Sequence, residues 1–173
     1  MQGATVVEDV VVIGAGLSGL TAARQLHQRG YRVRVVDKSR GLGGRLAARR
    51  RGSTVIDHGC RYLTPFIDES FSPIAQLLAA GVLQLWQPDA FTLGAEGALT
   101  AAHPKTLYRA TEGMSSVAKA LAGDLTIQRS WRATALTPWA RGWRITGERT
   151  TSDNQAEPQA LEAKAIVLAI PAP

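Results

Sequence analysis

Three glycines near the start of the chain have the spacing of a phosphate-binding turn. They are Gly14, Gly16 and Gly19, and they follow the apolar run 10–13, which is typical of a buried parallel strand. In such a turn the first glycine permits a sharp bend, the second lets backbone approach a pyrophosphate at a helix N-terminus, and the third lets helix and strand pack closely. The spacing therefore predicts a dinucleotide site.

A carboxylate stands where this site would meet a ribose. Asp37 follows a second apolar strand over 33–36, and the helix between the strands carries Leu20, Ala23 and Leu26 on one face. A carboxylate at this place accepts hydrogen bonds from ribose hydroxyls and repels a 2′-phosphate. The segment therefore predicts a βαβ unit whose ligand is not of the NADP type.

A second glycine-rich segment follows at once, over 38–45, and contains the pair Gly43 and Gly44 before Arg45. Glycine permits close backbone approach, and a guanidinium offers a planar fork for phosphate oxygens. The further arginines at 49–51 are interpreted as a solvated basic loop or, alternatively, as charge that attracts phosphate. We expect the glycine pair and Arg45 to join the same phosphate site.

The composition is that of a soluble globular protein. The chain has 173 residues, of which 45% are hydrophobic and 20% charged, with a net charge of +6. The basic run lacks interleaved aromatics, so no nucleic-acid partner is predicted. Neither a secretory signal nor a membrane-length apolar stretch is present, so no membrane partner is predicted. A single cysteine, Cys60, fits a reducing compartment, and a cytoplasmic location is the default interpretation.

The rest of the chain shows further periodic segments. Gly and Pro interrupt residues 88–106, which predicts loop and short strands, and residues 149–158 predict an exposed hairpin tip. Ser115 or Ser116 is the predicted N-cap of a helix. The predicted elements are helices over 74–80 and 115–121, meander strands over 125–128, 132–136 and 143–146, and a central parallel strand over 165–170.

Four segments carry a resemblance to one family. They are Arg40-Gly41-Leu42-Gly43-Gly44-Arg45, the stretch from Asp57 to Thr64, the triplet Glu112-Gly113-Met114, and the C-terminal run 166–173. Together they resemble the FAD-dependent amine oxidase superfamily, most closely its renalase-like branch. The resemblance implies FAD as cofactor. It also implies an α/β fold: a Rossmann-like FAD-binding domain, a parallel sheet with a βαβ start, with a β-meander and part of an α+β substrate domain.

The resemblance also implies a division of the chain. Residues 1–65 and 115–173 correspond to the FAD-binding domain, with the meander at about 130–163, and residues 66–114 to a partial substrate-domain insertion. Members of the family are longer, so we expect the C-terminal half of the family fold to be absent here. Its loss is expected to leave an apolar surface open to self-association or to a partner chain.

The resemblance assigns cofactor contacts to four parts of the chain. The segment around Gly59 corresponds to the part beside the isoalloxazine ring, and the backbone near Ala133 to the part that receives adenine. The residues expected to bind FAD are Gly14, Ala15, Gly16, Leu17, Ser18, Gly19, Asp37, Lys38, Arg40, Gly43, Gly44, Arg45, His58, Gly59, Cys60, Arg61, Tyr62 and Ala133.

Some positions depart from the family pattern or leave alternatives open. Ala48 stands where the pattern has a hydroxyl, and Cys60 with Arg61 where it more often has Ala and Gln. Arg61 either stabilises an anionic reduced ring or points to solvent, and His58 either bonds the flavin or ribose or has a local structural role. Cys60 is interpreted as a small buried thiol. No metal-ligand spacing and no catalytic residue are identified.

The predicted function is that of an FAD-binding oxidoreductase. It would pass a hydride from an amine or a dihydronicotinamide-type donor to flavin, and oxygen or another acceptor would reoxidise the flavin. The predicted partner is this small-molecule electron donor. Two alternatives remain open at this point: a non-catalytic FAD- or nucleotide-binding module that needs a partner chain, and an NAD-dependent reductase, which the glycine pair with Arg45 counts against.

Overall fold

The computed structural model describes residues 7–65, 69–102 and 106–171. Its strands are β1 Glu8–Ile13, β2 Val33–Val36, β3 Ala48–Arg51, β4 Thr54–Asp57, β5 Leu83–Trp86, β6 Ala90–Leu93, β7 Leu99–Ala102, β8 Leu107–Ala110, β9 Thr126–Gln128, β10 Trp131–Trp139, β11 Gly142–Thr150 and β12 Ala156–Leu168. Its helices are α1 Leu17–Gln28, α2 Ile74–Ala79 and α3 Ser115–Ala122, with turns of 3₁₀ helix at Gly44–Leu46 and Glu69–Phe71.

A six-stranded sheet in the order β10-β11-β12-β1-β2-β9 organises the fold. The strands β9, β2, β1 and β12 run parallel, and β1, α1 and β2 form the predicted βαβ unit. The predicted α/β fold class with a Rossmann-like start and a meander is confirmed. The strand predicted over 125–128 does not belong to the meander, however, because β9 pairs parallel with β2 at the other side of the sheet. Because the carboxyl ends of β1 and β2 meet at one edge of the sheet, the residues that follow them share that edge.

The strand β12 joins the two halves of this sheet. Its first part, up to Ala163, pairs antiparallel with β11, and its last part, from Ala163 to Leu168, pairs parallel with β1. The predicted strand over 165–170 is thus the second half of a longer element. Residues 149–158 were predicted as a hairpin tip, but β11 reaches Thr150 and β12 begins at Ala156, so the tip is shorter.

Apolar layers cover both faces of the parallel strands. The helices α1 and α3 bury Leu20 and Val117 against one face, and the meander buries Trp131 and Ile145 against the other. Burial of each such side chain stabilises the fold by about 1.5–3 kcal/mol. The sheet end that carries the glycine turn is therefore packed on both faces.

The predicted N-cap of α3 is wrong. The N-cap residue is Met114, not Ser115 or Ser116, and its amide donates to Asp57 Oδ1 at 2.8 Å. Ser116 Oγ instead donates to the carbonyl of Gly113 at 2.8 Å. A carboxylate from β4 thus replaces the local hydroxyl as the acceptor at this helix end.

Two small sheets lie in the part of the chain between residue 69 and α3. In one of them β5 pairs with β8, and in the other β6 pairs with β7. Ile74, Leu77 and Leu83 belong to the same buried cluster as Leu20. The division into an FAD-binding domain and an insertion stays a prediction. His103, interpreted from the sequence as an unremarkable loop residue, lies outside the described residues. None of the described helices is long and apolar enough to cross a membrane.

Candidate functional site

Two glycines of the turn are required by the packing of the protein itself. Gly14 has φ +113°, and a Cβ there would lie 2.5 Å from the carbonyl oxygen of Ala169. At Gly19 a Cβ would lie 1.9 Å from the carbonyl oxygen of Gly14. The first glycine makes the bend after β1 and the third brings α1 onto it, as the sequence predicts.

Gly16 is different, because none of the described residues requires a glycine there. Its φ is −80°, which suits any residue, and the nearest atom to an added Cβ is the Gly43 carbonyl oxygen, 3.9 Å away. Because Gly16 has no side chain and the space beside its Cα is free, a ligand can approach its backbone closely. This is the arrangement that close approach of a pyrophosphate needs.

The second glycine segment lies directly against the first. The Gly43 amide donates to the Ala15 carbonyl at 2.9 Å, and the position of a Gly44 Cβ is 3.5 Å from Gly16 Cα. Gly43 and Gly44 have φ +108° and +53°. Gly14–Gly16 and Gly43–Gly44 together are called the glycine cradle below. The structure thus brings together the two segments that the sequence assigned to one site.

The cradle lies at the N-terminus of α1. Gly16 is the N-cap and offers no side-chain cap, and the first turn, which begins with Leu17 and Ser18, holds no acidic residue. The first amides of a helix lack intrahelical acceptors, and the helix dipole makes this end favourable for an anion. Arg45 follows Gly44 in sequence, and its side chain is exposed. The cradle therefore combines backbone donors with an exposed arginine next to it in sequence.

The carboxylate of Asp37 connects the two glycine segments. Its Oδ2 accepts from the Ala15 amide at 2.6 Å and its Oδ1 from the Ser39 amide at 2.7 Å. The Trp131 amide donates to the Asp37 carbonyl at 2.9 Å, so the start of β10 is fixed there as well. A carboxylate has about four acceptor positions, which leaves about two for ribose hydroxyls.

The segment around Gly59 lies beside Arg45. A Cβ on Gly59 would be 2.2 Å from the Arg45 carbonyl oxygen, and the Cys60 amide donates to that oxygen at 2.8 Å. The Cys60 thiol donates to the Tyr62 carbonyl at 2.7 Å. Cys60 is partly buried and packs against the main apolar cluster, so it is less buried than the interpretation of a small buried thiol has it. The side chain of Arg61 is exposed.

The remaining predicted residues have no described contact with the cradle. Lys38 and His58 are exposed. The side chain of Arg40 lines a groove at the outer edge of the sheet with residues of β9. Ala133 lies on β10, two residues beyond the Trp131 contact with Asp37, where the pairing with β11 has a bulge. The assignment of these side chains to FAD stays a prediction.

Three supporting residues escaped the sequence reasoning. Ala118 of α3 would lie 3.2 Å from a Cβ on Gly43, and Ala169 abuts the positions of both Gly14 and Gly19. Asp57 holds the N-terminus of α3, which carries Ala118. Small residues facing a glycine turn leave no spacing signal, because their partners are distant in sequence.

Among the described residues, the strongest shift of a pKa is that of Asp9, which lies near the amino end of β1 and away from the cradle. The pKa of Asp9 is lowered to about 2, first by the hydrogen bond from the Lys164 ammonium at 2.7 Å and next by the Arg32 amide. Within the described residues, no group of three or more His, Cys, Asp or Glu is placed to hold a metal ion.

Comparisons with known proteins agree with this geometry. The family described as an NAD(P)-binding Rossmann-like domain matches residues 12–79. Probable polyamine oxidase 4 of Arabidopsis thaliana is 33% identical over 79 residues, which is 46% of this chain and 16% of that protein. A putative flavin-containing monoamine oxidase of Mycobacterium tuberculosis is 40% identical over 60 residues, 35% of this chain and 13% of that protein.

Solved structures extend the likeness to nearly the whole chain. Wild-type putrescine oxidase bound to putrescine has a TM-score of 0.69 with 15% identity, covering 97% of this chain and 59% of that one. A fatty acid isomerase from P. acnes has a TM-score of 0.69 with 12% identity, covering 95% and 59%. These likenesses show the fold. The aligned segments span less than a fifth of the two sequence relatives, and the whole chain spans about three fifths of these structures.

Proposed function

We propose that this chain, which belongs to the FAD-dependent amine oxidase superfamily, binds FAD with its pyrophosphate in the glycine cradle and acts as an oxidoreductase. The relatives at 33% and 40% identity carry oxidase names, and the fold matches putrescine oxidase. The narrower, renalase-like assignment stays a proposal.

The observation that carries the proposal is the free space at Gly16. The chain keeps a glycine there although its φ of −80° and its nearest contact of 3.9 Å would admit a side chain. Two glycine segments and a helix N-terminus face that space, and no carboxylate occupies the first turn of α1. Backbone donors without a local anion fit a pyrophosphate.

The residues of the site have distinct parts in this proposal. FAD, when bound, supplies the hydride-accepting ring. The cradle and Arg45 would hold the pyrophosphate, and the free acceptor positions of Asp37 would take ribose hydroxyls. The segment around Gly59, which rests on the Arg45 backbone, would run beside the ring. The chain would thus fix where the ring lies, while the reaction belongs to the cofactor.

The proposed donor is an amine or a dihydronicotinamide. The names of the two oxidase relatives and of putrescine oxidase favour an amine. Nothing in the comparisons favours an NAD-dependent reductase or a non-catalytic module. A donor test is direct: anaerobic addition of putrescine or of a dihydronicotinamide to the FAD-loaded protein should bleach the visible absorption of the flavin.

The Gly16→Ala substitution tests the cradle. The new methyl group would occupy the space assigned to the pyrophosphate while the backbone stays in an allowed conformation. We expect FAD affinity, measured by calorimetric titration, to fall by about tenfold or more. The free energy of unfolding should change by less than about 1 kcal/mol, because the entropic gain of alanine and its poorer capping offset each other.

Gly94→Ala is the matched control. Gly94 lies beside β6, and a Cβ there would make only an ordinary 3.5 Å contact with the Ala98 carbonyl oxygen. FAD affinity of this variant should equal that of the wild type. Undiminished FAD binding by Gly16→Ala, or wild-type binding of NAD in preference to FAD, would refute the proposal.

A further inference from the structure

The outer edge of the sheet carries a groove that shares only Arg40 with the residues expected to bind FAD. It lies between β9 and the meander, has a volume of about 550 Å³, and is lined by four arginines and no carboxylate: Arg34, Arg40, Arg129 and Arg149. Small-molecule sites are typically 300–1,000 Å³, so the groove has room for a ligand of nucleotide size.

Three of these arginines keep their charge uncompensated. Arg34 is neutralised by Glu8, whose Oε1 accepts from its Nε at 2.9 Å and lies 2.8 Å from its Nη2. Arg40, Arg129 and Arg149 form no ion pair within the described part of the chain. Glu157 stands opposite Arg149 in the β11–β12 register, yet the two side chains form no ion pair.

Hydrogen bonds join the backbone segments around the groove. Arg129 Nη1 donates to the Arg40 carbonyl at 3.2 Å, which orients that guanidinium and leaves its other donors available. Ser130, at φ +54°, donates its amide to Ser39 and accepts from the Thr150 amide at 2.8 Å. Three guanidinium groups with free donors therefore border one concave surface.

We propose that this groove is a second anion site, which binds a small ligand carrying two or more phosphate groups. Guanidinium forks match phosphate oxygens bidentately, and several uncompensated arginines at one concave surface favour a multiply charged group over a single carboxylate. The glycine cradle lies at the carboxyl ends of β1 and β2, whereas the groove extends along β9 to Thr126 and Arg34. The groove is therefore a separate site from the cradle.

Calorimetric titration of the full chain with inorganic pyrophosphate tests the proposal, at about 0.05 M ionic strength to limit screening. With saturating FAD, which occupies the cradle, saturable binding of pyrophosphate to the groove is still expected. The double variant Arg129→Ala/Arg149→Ala should weaken it about 10- to 100-fold. The double variant Arg129→Lys/Arg149→Lys keeps the charge and loses the fork, so it should recover binding only in part. ADP in a parallel titration measures whether a nucleoside adds affinity.

Arg50→Ala/Arg51→Ala is the control, because it removes the same charge from exposed β3 residues outside the groove. It should leave pyrophosphate affinity within about twofold of wild type. Absence of saturable binding, or equal weakening by the control, would overturn the proposal. So would competition between FAD and pyrophosphate together with loss of FAD affinity in Arg129→Ala/Arg149→Ala, because the groove would then be part of the cofactor site.

Discussion

At the residue scale, Asp37 shows how one side chain serves both fold and site. Its two carboxylate oxygens hold the amides of Ala15 and Ser39, one in each of the segments that meet in the cradle. The sequence predicted a ribose contact for this residue. The spacing of a motif reports which residues a ligand needs, but it does not report the hydrogen bonds that hold those residues in place.

A second aspartate gives a prediction on pH. Asp9 has its pKa lowered from 3.8 to about 2 in the folded protein, mainly by Lys164. A lowered pKa stabilises the fold above the unfolded value, and this stabilisation is lost as the pH falls through the folded value. The difference in thermal midpoint between wild type and Asp9→Asn should therefore be constant above about pH 4 and shrink between about pH 4 and 2.

Asp89→Asn is the comparison for that series, because Asp89 is exposed and forms no ion pair among the described residues. Its midpoint should follow the wild type through the same range. A difference for Asp9→Asn that stays constant down to about pH 2 would contradict the assigned contact with Lys164.

At the element scale, the contact between β1 and α1 predicts unequal effects of alanine within one motif. An added methyl at Gly19 would lie 1.9 Å from the Gly14 carbonyl oxygen. This oxygen belongs to the backbone, so the clash cannot be relieved by the rotation of a side chain. Gly19→Ala should lower the free energy of unfolding by about 3 kcal/mol, measured by urea denaturation.

Gly30→Ala separates steric conflict from backbone strain. Gly30 has φ +86° and nothing within 4 Å of an added Cβ, so this variant should lose only about 1–2 kcal/mol. A Gly19→Ala protein no less stable than Gly30→Ala would mean that α1 does not pack on β1 at the described distance.

The elements also show where sequence reasoning ends. Apolar periodicity predicted β1, α1, β2 and the parallel part of β12, because these segments bury side chains in a regular pattern. The helix over 115–121 was also predicted, but the capping preference of serine failed at its start, where a carboxylate from β4 caps the helix. Local sequence cannot indicate a partner that only the tertiary fold supplies. For the same reason Ala118 and Ala169, which support the cradle, were not found.

At the scale of the whole molecule, local stability should differ strongly between regions. The β6–β7 hairpin pairs with no other strand of the described chain, and its Phe91, Leu93 and Leu99 are 61%, 69% and 67% exposed. A lone two-stranded ladder is marginal in water. Hydrogen exchange should therefore be fast over 90–93 and 99–102 and slow over β1, whose neighbours β2 and β12 protect both edges.

The exchange measurement needs two protein concentrations. Slow exchange in the hairpin at high concentration alone would mean that another copy covers these apolar side chains. Protection equal to that of β1 at both concentrations would contradict the described fold of this region.

The double pairing of β12 also sets an order of events. Lys164 contacts Asp9 across 155 residues of sequence, and the Ala169 amide donates to the Ile13 carbonyl beside the glycine turn. Pairing across such a separation is slow, because the entropy of closing a long loop is lost before the stabilising contacts form. Because synthesis runs from the N-terminus to the C-terminus, β1 is made before β12, with which it pairs. We therefore expect the glycine turn after β1 to reach its final shape only after β12 has been made.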